Sequence, residues 1–176
     1  MDLVKKYFII ISSILISLYS CSGSTENQSK NENVSRKESL EKVNRYLIRT
    51  EAEDIDNYIR RHGWKAEETG TGLHYWIYEN GNGEQAKKGQ IAVLNFQTFL
   101  INGNLIYSSD ELGYKEFKIG KGGVETGLEE AILLMRVGDK AKLVIPSHLA
   151  FGLLGDNDKI PPRSTVVYDI ELVSLK

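Results

Sequence analysis

The stretch Ile91-Ala92-Val93-Leu94-Asn95-Phe96-Gln97-Thr98-Phe99-Leu100-Ile101-Asn102-Gly103-Asn104-Leu105-Ile106 decides the fold class. Its first part is rich in β-branched and aromatic residues with period two, which predicts a strand over residues 91–101. Asn102-Gly103 then falls between Leu100-Ile101 and Leu105-Ile106. That is a hairpin signal, because both central turn positions tolerate positive φ. Working outward, the same pattern predicts strands over residues 73–78, 141–146 and 165–175. One helical interruption, Thr126-Gly127-Leu128-Glu129-Glu130-Ala131-Ile132-Leu133-Leu134-Met135, ends near Gly138. The plan is α+β: an antiparallel sheet whose apolar face wraps one short helix.

Residues 35–63, before the sheet, read as a helical preface. Ser35-Arg36-Lys37-Glu38 fits a capping box, and Leu40, Val43, Leu47 and Ile48 follow at three- and four-residue steps. Thr50-Glu51-Ala52-Glu53 repeats the box ahead of Ile55, Tyr58 and Ile59, and Gly63 suits a left-handed cap. One kinked helix or two both fit. Arg60-Arg61-His62 complements the negative end of the helix dipole. Residues 21–34 are almost wholly polar and read as a disordered tether, with a reach of roughly 20 Å. Lys5 and Lys6 precede an apolar run from Tyr7 to Leu18, shorter than the about 20 residues a membrane span needs. Residues 1–20 therefore read as a signal peptide. Leu18-Tyr19-Ser20-Cys21 resembles the bacterial lipobox, which implies diacylglycerol on Cys21, although Tyr19 departs mildly from the pattern. Acyl chains would hold the protein to a membrane, each buried methylene adding about 0.8 kcal/mol.

The 176 residues suit one core plus extra segments. With Lys+Arg 22 against Asp+Glu 24, the net charge of -2 offers no nucleic-acid footprint. His62, His74 and His148 have no second ligand at zinc-like spacing, and Cys21 is the single cysteine, so no metal is expected. There is no cofactor motif. Gly81-Asn82-Gly83 and Gly120-Lys121-Gly122-Gly123 lack the ending of a phosphate loop and read as turns.

Further pieces stand in order: Lys88-Gly89-Gln90, the Asn102-Gly103 hairpin, Tyr107-Ser108-Ser109, Ile119-Gly120-Lys121, Gly127-Leu128-Glu129-Glu130, Val137-Gly138-Asp139-Lys140-Ala141-Lys142-Leu143, Ala150-Phe151-Gly152, Ile160-Pro161-Pro162 and Val167-Tyr168-Asp169-Ile170-Glu171-Leu172. From about Lys87 to Lys176 the chain resembles the FKBP family of peptidyl-prolyl cis-trans isomerases. The resemblance implies a half-barrel sheet around one helix over residues 70–176, no cofactor, and proline-containing polypeptides as partners. It also implies a pocket. The residues nearest its chemistry would be Phe96, Tyr107, Phe151 and Tyr168, and the substrate would lie against Phe117, Val124, Glu125, Leu128 and Ile160. The backbone N–H of Glu125 would face the substrate carbonyl.

Several residues depart from the family pattern. Tyr107 stands where the family usually has aspartate, Phe151 and Phe96 stand at common tyrosine positions, Leu128 replaces a frequent tryptophan, and Glu125 is placed at the pocket rim, where an apolar residue is frequent. These changes imply weakened rather than abolished isomerisation. The leader, the preface and Arg61-His62-Gly63-Trp64 further resemble FKBP-like lipoproteins of gliding motility in Bacteroidetes.

Three functions stay open at this point: an envelope isomerase, a peptide-binding or assembly module on the same fold, and a small-molecule binder. Ser22-Gly23-Ser24 after the cysteine favours an outer-membrane anchor facing the periplasm. Self-association through residues 35–63 is one way to bury the preface's apolar stripe.

Overall fold

The computed structural model describes the backbone of residues 25–176 and the side chains from Arg36 onward. The segment read as a signal peptide and the expected lipidation site Cys21 therefore lie outside the described residues. The described chain begins with helix α1 (Thr25–His62), followed by strands β1 (Glu67–Glu68), β2 (His74–Glu79), β3 (Ile91–Leu100) and β4 (Leu105–Ser108). Then come a short helix α2 (Ser109–Leu112), β5 (Lys115–Lys118), helix α3 (Thr126–Leu133), β6 (Lys140–Ile145), a 3-10 turn (Ser147–Leu149) and β7 (Val166–Leu175). The strands form one antiparallel sheet in the order β1-β2-β6-β7-β3-β4, with β5 paired to β3 beside β4. This is the α+β plan read from the sequence.

The pleat sorts the side chains into two cores. Along β7, Val166, Tyr168, Ile170 and Leu172 point to the face that carries α3, where they meet Ala141, Leu143 and Ile145 of β6 and Ala92, Leu94 and Phe96 of β3. Leu128 and Ile132 of α3, both buried, fill that face. The helix lies so near β6 that a Cβ on Gly127 would stand 2.4 Å from Ile145 Cγ2. Any side chain there would push the helix off the sheet.

Three local readings are refined. The β3–β4 connection runs over residues 101–104, with the Leu100 N–H bonded to the Asn104 carbonyl at 3.0 Å. Only Gly103 takes positive φ (90°), whereas Asn102 uses its side chain to accept the Asn104 N–H at 3.0 Å. It is a four-residue loop with an Asx turn, not a two-residue hairpin. Gly81-Asn82-Gly83 is an irregular segment rather than a hydrogen-bonded turn, and it is tied down by the buried Asp139, whose carboxylate accepts the Gly81 N–H at 2.6 Å and the Arg136 N–H at 2.7 Å. Strand β5 was not foreseen, being only four residues long and mostly charged.

Helix α1 corrects the reading of the N-terminal segment. It is continuous through Ser35 and Thr50, so neither capping box marks a helix start, and residues 25–34, expected as a disordered tether, are helical. No glycine or proline interrupts residues 25–62, and the polar residues there are mostly tolerant of helix. The helix stops where expected, at Gly63 with φ 65°, whose N–H reaches the Arg60 carbonyl at 3.2 Å.

The chain divides into compact units at Ile48–Arg49. In the first, Leu40, Val43 and Ile48 are exposed (64%, 54% and 54%). In the second, Ile55 and Tyr58 are buried against Val144 and Val167 on the sheet's other face, with Ile59, Trp64, Phe99 and Ile101 around them. Glu51 has a specific task there. Its carboxylate accepts the Ser147 N–H (2.7 Å), the Ser147 hydroxyl (3.0 Å) and the Thr165 hydroxyl (2.7 Å), joining helix, 3-10 turn and the approach to β7.

Replacing Glu51 by Ala leaves those buried donors without an acceptor and should cost about 1–3 kcal/mol. Urea denaturation checks this, and Glu51→Gln, which keeps one acceptor oxygen, should cost less.

Candidate active site

A cavity of about 550 Å³ opens beside the N-terminal end of α3, lined by Phe96 of β3, Tyr107 of β4, Leu112 of α2, Lys115 of β5, Val124 and Glu125, and by Phe151, Asp156 and Tyr168, with Gly122, Gly123 and Ala150. Six of the nine residues proposed from sequence meet there: Phe96, Tyr107, Val124, Glu125, Phe151 and Tyr168. The other three, Phe117, Leu128 and Ile160, are buried in the main core and do not line the cavity. Phe117, on β5, and Leu128, on α3, are both buried in the core between sheet and helix. Ile160 anchors the loop that carries Asp156.

That loop folds around one side chain. Asp156 Oδ1 accepts the N–H groups of Asp158 (2.9 Å) and Ile160 (2.8 Å), and Tyr107 donates its hydroxyl to Asp156 Oδ2 and to Asp158 Oδ2 at 3.2 Å. Lys159 packs its ammonium over the Tyr107 ring at 5.1 Å. Burial, the hydrogen bond to Asp156 and the nearby negative charges together raise the Tyr107 hydroxyl well above its ordinary range. Burial pushes Asp156 upward, but the bonds from Tyr107 and the two backbone N–H groups outweigh it and leave the carboxyl below its usual range. Tyr107, which stands where an aspartate was expected, therefore has a carboxylate partner supplied by another loop.

The opposite wall is polar in a second way. The Tyr168 hydroxyl, in a side chain almost wholly enclosed, donates to Glu125 Oε1 at 2.6 Å. Burial first, and then the Glu125 charge, raise its pKa far above normal. Glu125 was expected at the rim, yet its side chain is only 5% exposed and its Oε2 has no hydrogen-bond partner. A carboxylate enters this apolar wall because Tyr168 gives it a donor and Lys115 a countercharge, the ammonium being 3.9 Å from Oε1. Glu125 also starts α3, its carbonyl accepting the N–H groups of Leu128 and Glu129 at 3.0 and 3.1 Å. Its own backbone N–H finds no acceptor among the described residues.

Sequence reasoning missed the side chains of Leu112, Lys115 and Asp156. In β5, alternation puts Lys115 on the same side as the buried Phe117, so recognising that strand would have found it. For Asp156 the signal was the Gly155-Asp156-Asn157-Asp158 composition, which marks a turn built on an Asp side chain.

With this geometry in view, the comparisons are specific. Residues 82–173, over half the chain, match the model of the FKBP-type peptidyl-prolyl cis-trans isomerase family. The chain belongs to this family. It is 39% identical over 92 residues to FK506-binding protein 2 of Dictyostelium discoideum, covering 52% of this chain and 69% of that one. It is also 39% identical over 106 residues to the FKBP-type peptidyl-prolyl cis-trans isomerase FkpA of Escherichia coli K12, covering 60% of this chain and 38% of that one. The aligned stretch thus takes in well under half of the bacterial relative. The crystal structure of FkpA from Escherichia coli superposes with a TM-score of 0.64 at 29% identity, covering 98% of this chain and 82% of that one. That of AtFKBP13 superposes with a TM-score of 0.61 at 32% identity, covering 64% and 99%.

The Tyr107–Asp156 pair has a testable pH signature. A carboxyl whose folded pKa is depressed stabilises the protein above its unfolded value, about 3.9, and loses that contribution as pH falls through the folded value. The stability gap between wild type and Tyr107→Phe should therefore be full at neutral pH and shrink below about pH 4, as measured by denaturant unfolding at a series of pH values.

Proposed function

We propose that this chain catalyses cis-trans isomerisation of X-Pro peptide bonds in exported polypeptides while tethered to a membrane through Cys21. The observation that carries the reaction is the cavity walled by Phe96, Leu112, Val124, Phe151 and Tyr168. Rotation about an amide must overcome about 18–20 kcal/mol of lost resonance and breaks no covalent bond. The twisted state is less dipolar than the planar amide, so an enclosure of aromatic and aliphatic walls favours it over the ground state. The Glu125 N–H supplies a donor for the carbonyl. Phe151 contributes a wall but no hydroxyl, which lowers the rate relative to a tyrosine there.

The anchor rests on Leu18-Tyr19-Ser20-Cys21 after a short apolar run. It needs no spanning helix, and none of the described helices is long and apolar enough to cross a membrane. Thr25–His62 would then act as a spacer between lipid and domain. An outer-membrane position facing the periplasm, and the likeness to gliding-motility lipoproteins, belong to this same reading.

A second reading, a peptide-holding or assembly module, is favoured by one observation. Leu40, Val43, Tyr46 and Ile48 lie exposed along α1, a surface suited to a partner or to a second copy of this chain.

A protease-coupled assay on X-Pro peptides decides between the two. Wild type should show turnover. Phe151→Tyr should raise the rate several-fold, in line with about 0.5–1.5 kcal/mol for a neutral hydrogen bond, and Tyr168→Ala should lower both rate and peptide affinity. Peptide binding without turnover would support the holding module instead. For the anchor, Cys21→Ser should move the protein from the membrane fraction to the soluble envelope fraction; sedimentation unchanged in high salt would refute lipidation.

A further inference from the structure

The cavity holds a cation that the family resemblance does not call for. The Lys115 ammonium stands 5.2 Å from the centre of the Phe96 ring and 5.8 Å from that of Tyr168, on the same aromatic walls against which a pyrrolidine ring would pack. Its side chain is 27% exposed. The tyrosine hydroxyls of the cavity are already committed, Tyr107 to Asp156 and Tyr168 to Glu125, and Phe96 and Phe151 carry none. Among the cavity's side chains, Lys115 keeps donor protons uncommitted, since its contact with Glu125 Oε1, at 3.9 Å, is an ion pair beyond hydrogen-bond reach.

Resting on the isomerase reading above, we propose that Lys115 is a catalytic residue that donates a hydrogen bond to the prolyl nitrogen as the amide twists. In the planar amide the nitrogen lone pair is delocalised into the carbonyl and accepts poorly. At the twisted transition state it is localised on a pyramidal nitrogen. A donor placed there interacts with the transition state and hardly at all with the ground state, which is the condition for raising kcat. The low-polarity walls strengthen the contact. Glu125 is the positioning residue: held by Tyr168, it keeps the ammonium over the two rings. On this account Lys115, held in place by Glu125 and Tyr168, supplies a side-chain donor that Phe151 does not.

Exchange spectroscopy on an X-Pro peptide, titrated through saturation, separates rate from affinity in the full chain. Lys115→Met keeps an apolar stem without the donor and should lower kcat roughly tenfold or more, the scale of a hydrogen bond to a charged group, with peptide affinity unchanged. Lys115→Arg should recover most of the rate. Because Lys115→Met leaves the Glu125 carboxylate without its countercharge, the double variant Lys115→Met/Glu125→Gln, which removes both charges, must show the same loss of kcat. A wild-type rate in either variant, or a loss confined to affinity, would overturn the assignment and leave Lys115 as the counter-ion of Glu125. Absence of turnover in the wild type would instead overturn the isomerase reading on which it rests.

Discussion

Strand β7 is hydrogen-bonded along one edge to β6 and along the other to β3, so its pleat commits both faces of the sheet at once. Val166, Tyr168, Ile170 and Leu172 go to the side that α3 fills, and Val167 goes to the side covered by the C-terminal part of α1. A slip of one residue would exchange these sets, placing Asp169 and Glu171 in the main core. Tyr168 is the point at which this constraint reaches the site, since the same alternation that buries Ile170 turns the tyrosine ring into a wall of the cavity.

The cavity differs from an all-apolar enclosure in a coordinated way. A lone buried carboxylate would be strongly unfavourable. Glu125, at the start of α3, is tolerated because Tyr168 and Lys115 come to it from two strands, β7 and β5. On the other wall Tyr107 would bury a hydroxyl, and Asp156 accepts it from a loop whose own turn that carboxylate closes. Both arrangements bring together groups from separate elements, and both set a lysine ammonium over the aromatic rings of the cavity.

Most of the fold was legible in the sequence because strands buried on one or both faces announce themselves by period two and by β-branched and aromatic composition. The main strands, the helix at Thr126–Leu133 and the stop at Gly63 are of this kind. The N-terminal segment was misread because capping boxes are necessary only where a helix begins. In a stretch free of glycine and proline, as residues 25–62 are, the same Ser/Thr-x-x-Glu pattern lies harmlessly within a helix. Glu51 illustrates the point: read as part of a cap, it instead satisfies Ser147 and Thr165, nearly a hundred residues away or more.

The sequence alone determined which side chains alternate toward the core, where glycines permit turns, and, through its ordered motifs, the family to which the domain belongs. It also assembled most of one cavity wall by residue type. Only the tertiary structure decided that Phe117, Leu128 and Ile160 are core, that Lys115 and Asp156 enter the site, and that Glu125 is enclosed. The physical reason is that periodicity reports which face of its own element a residue occupies. Whether that face meets a helix, an open cavity or an opposite charge depends on elements that only folding brings together.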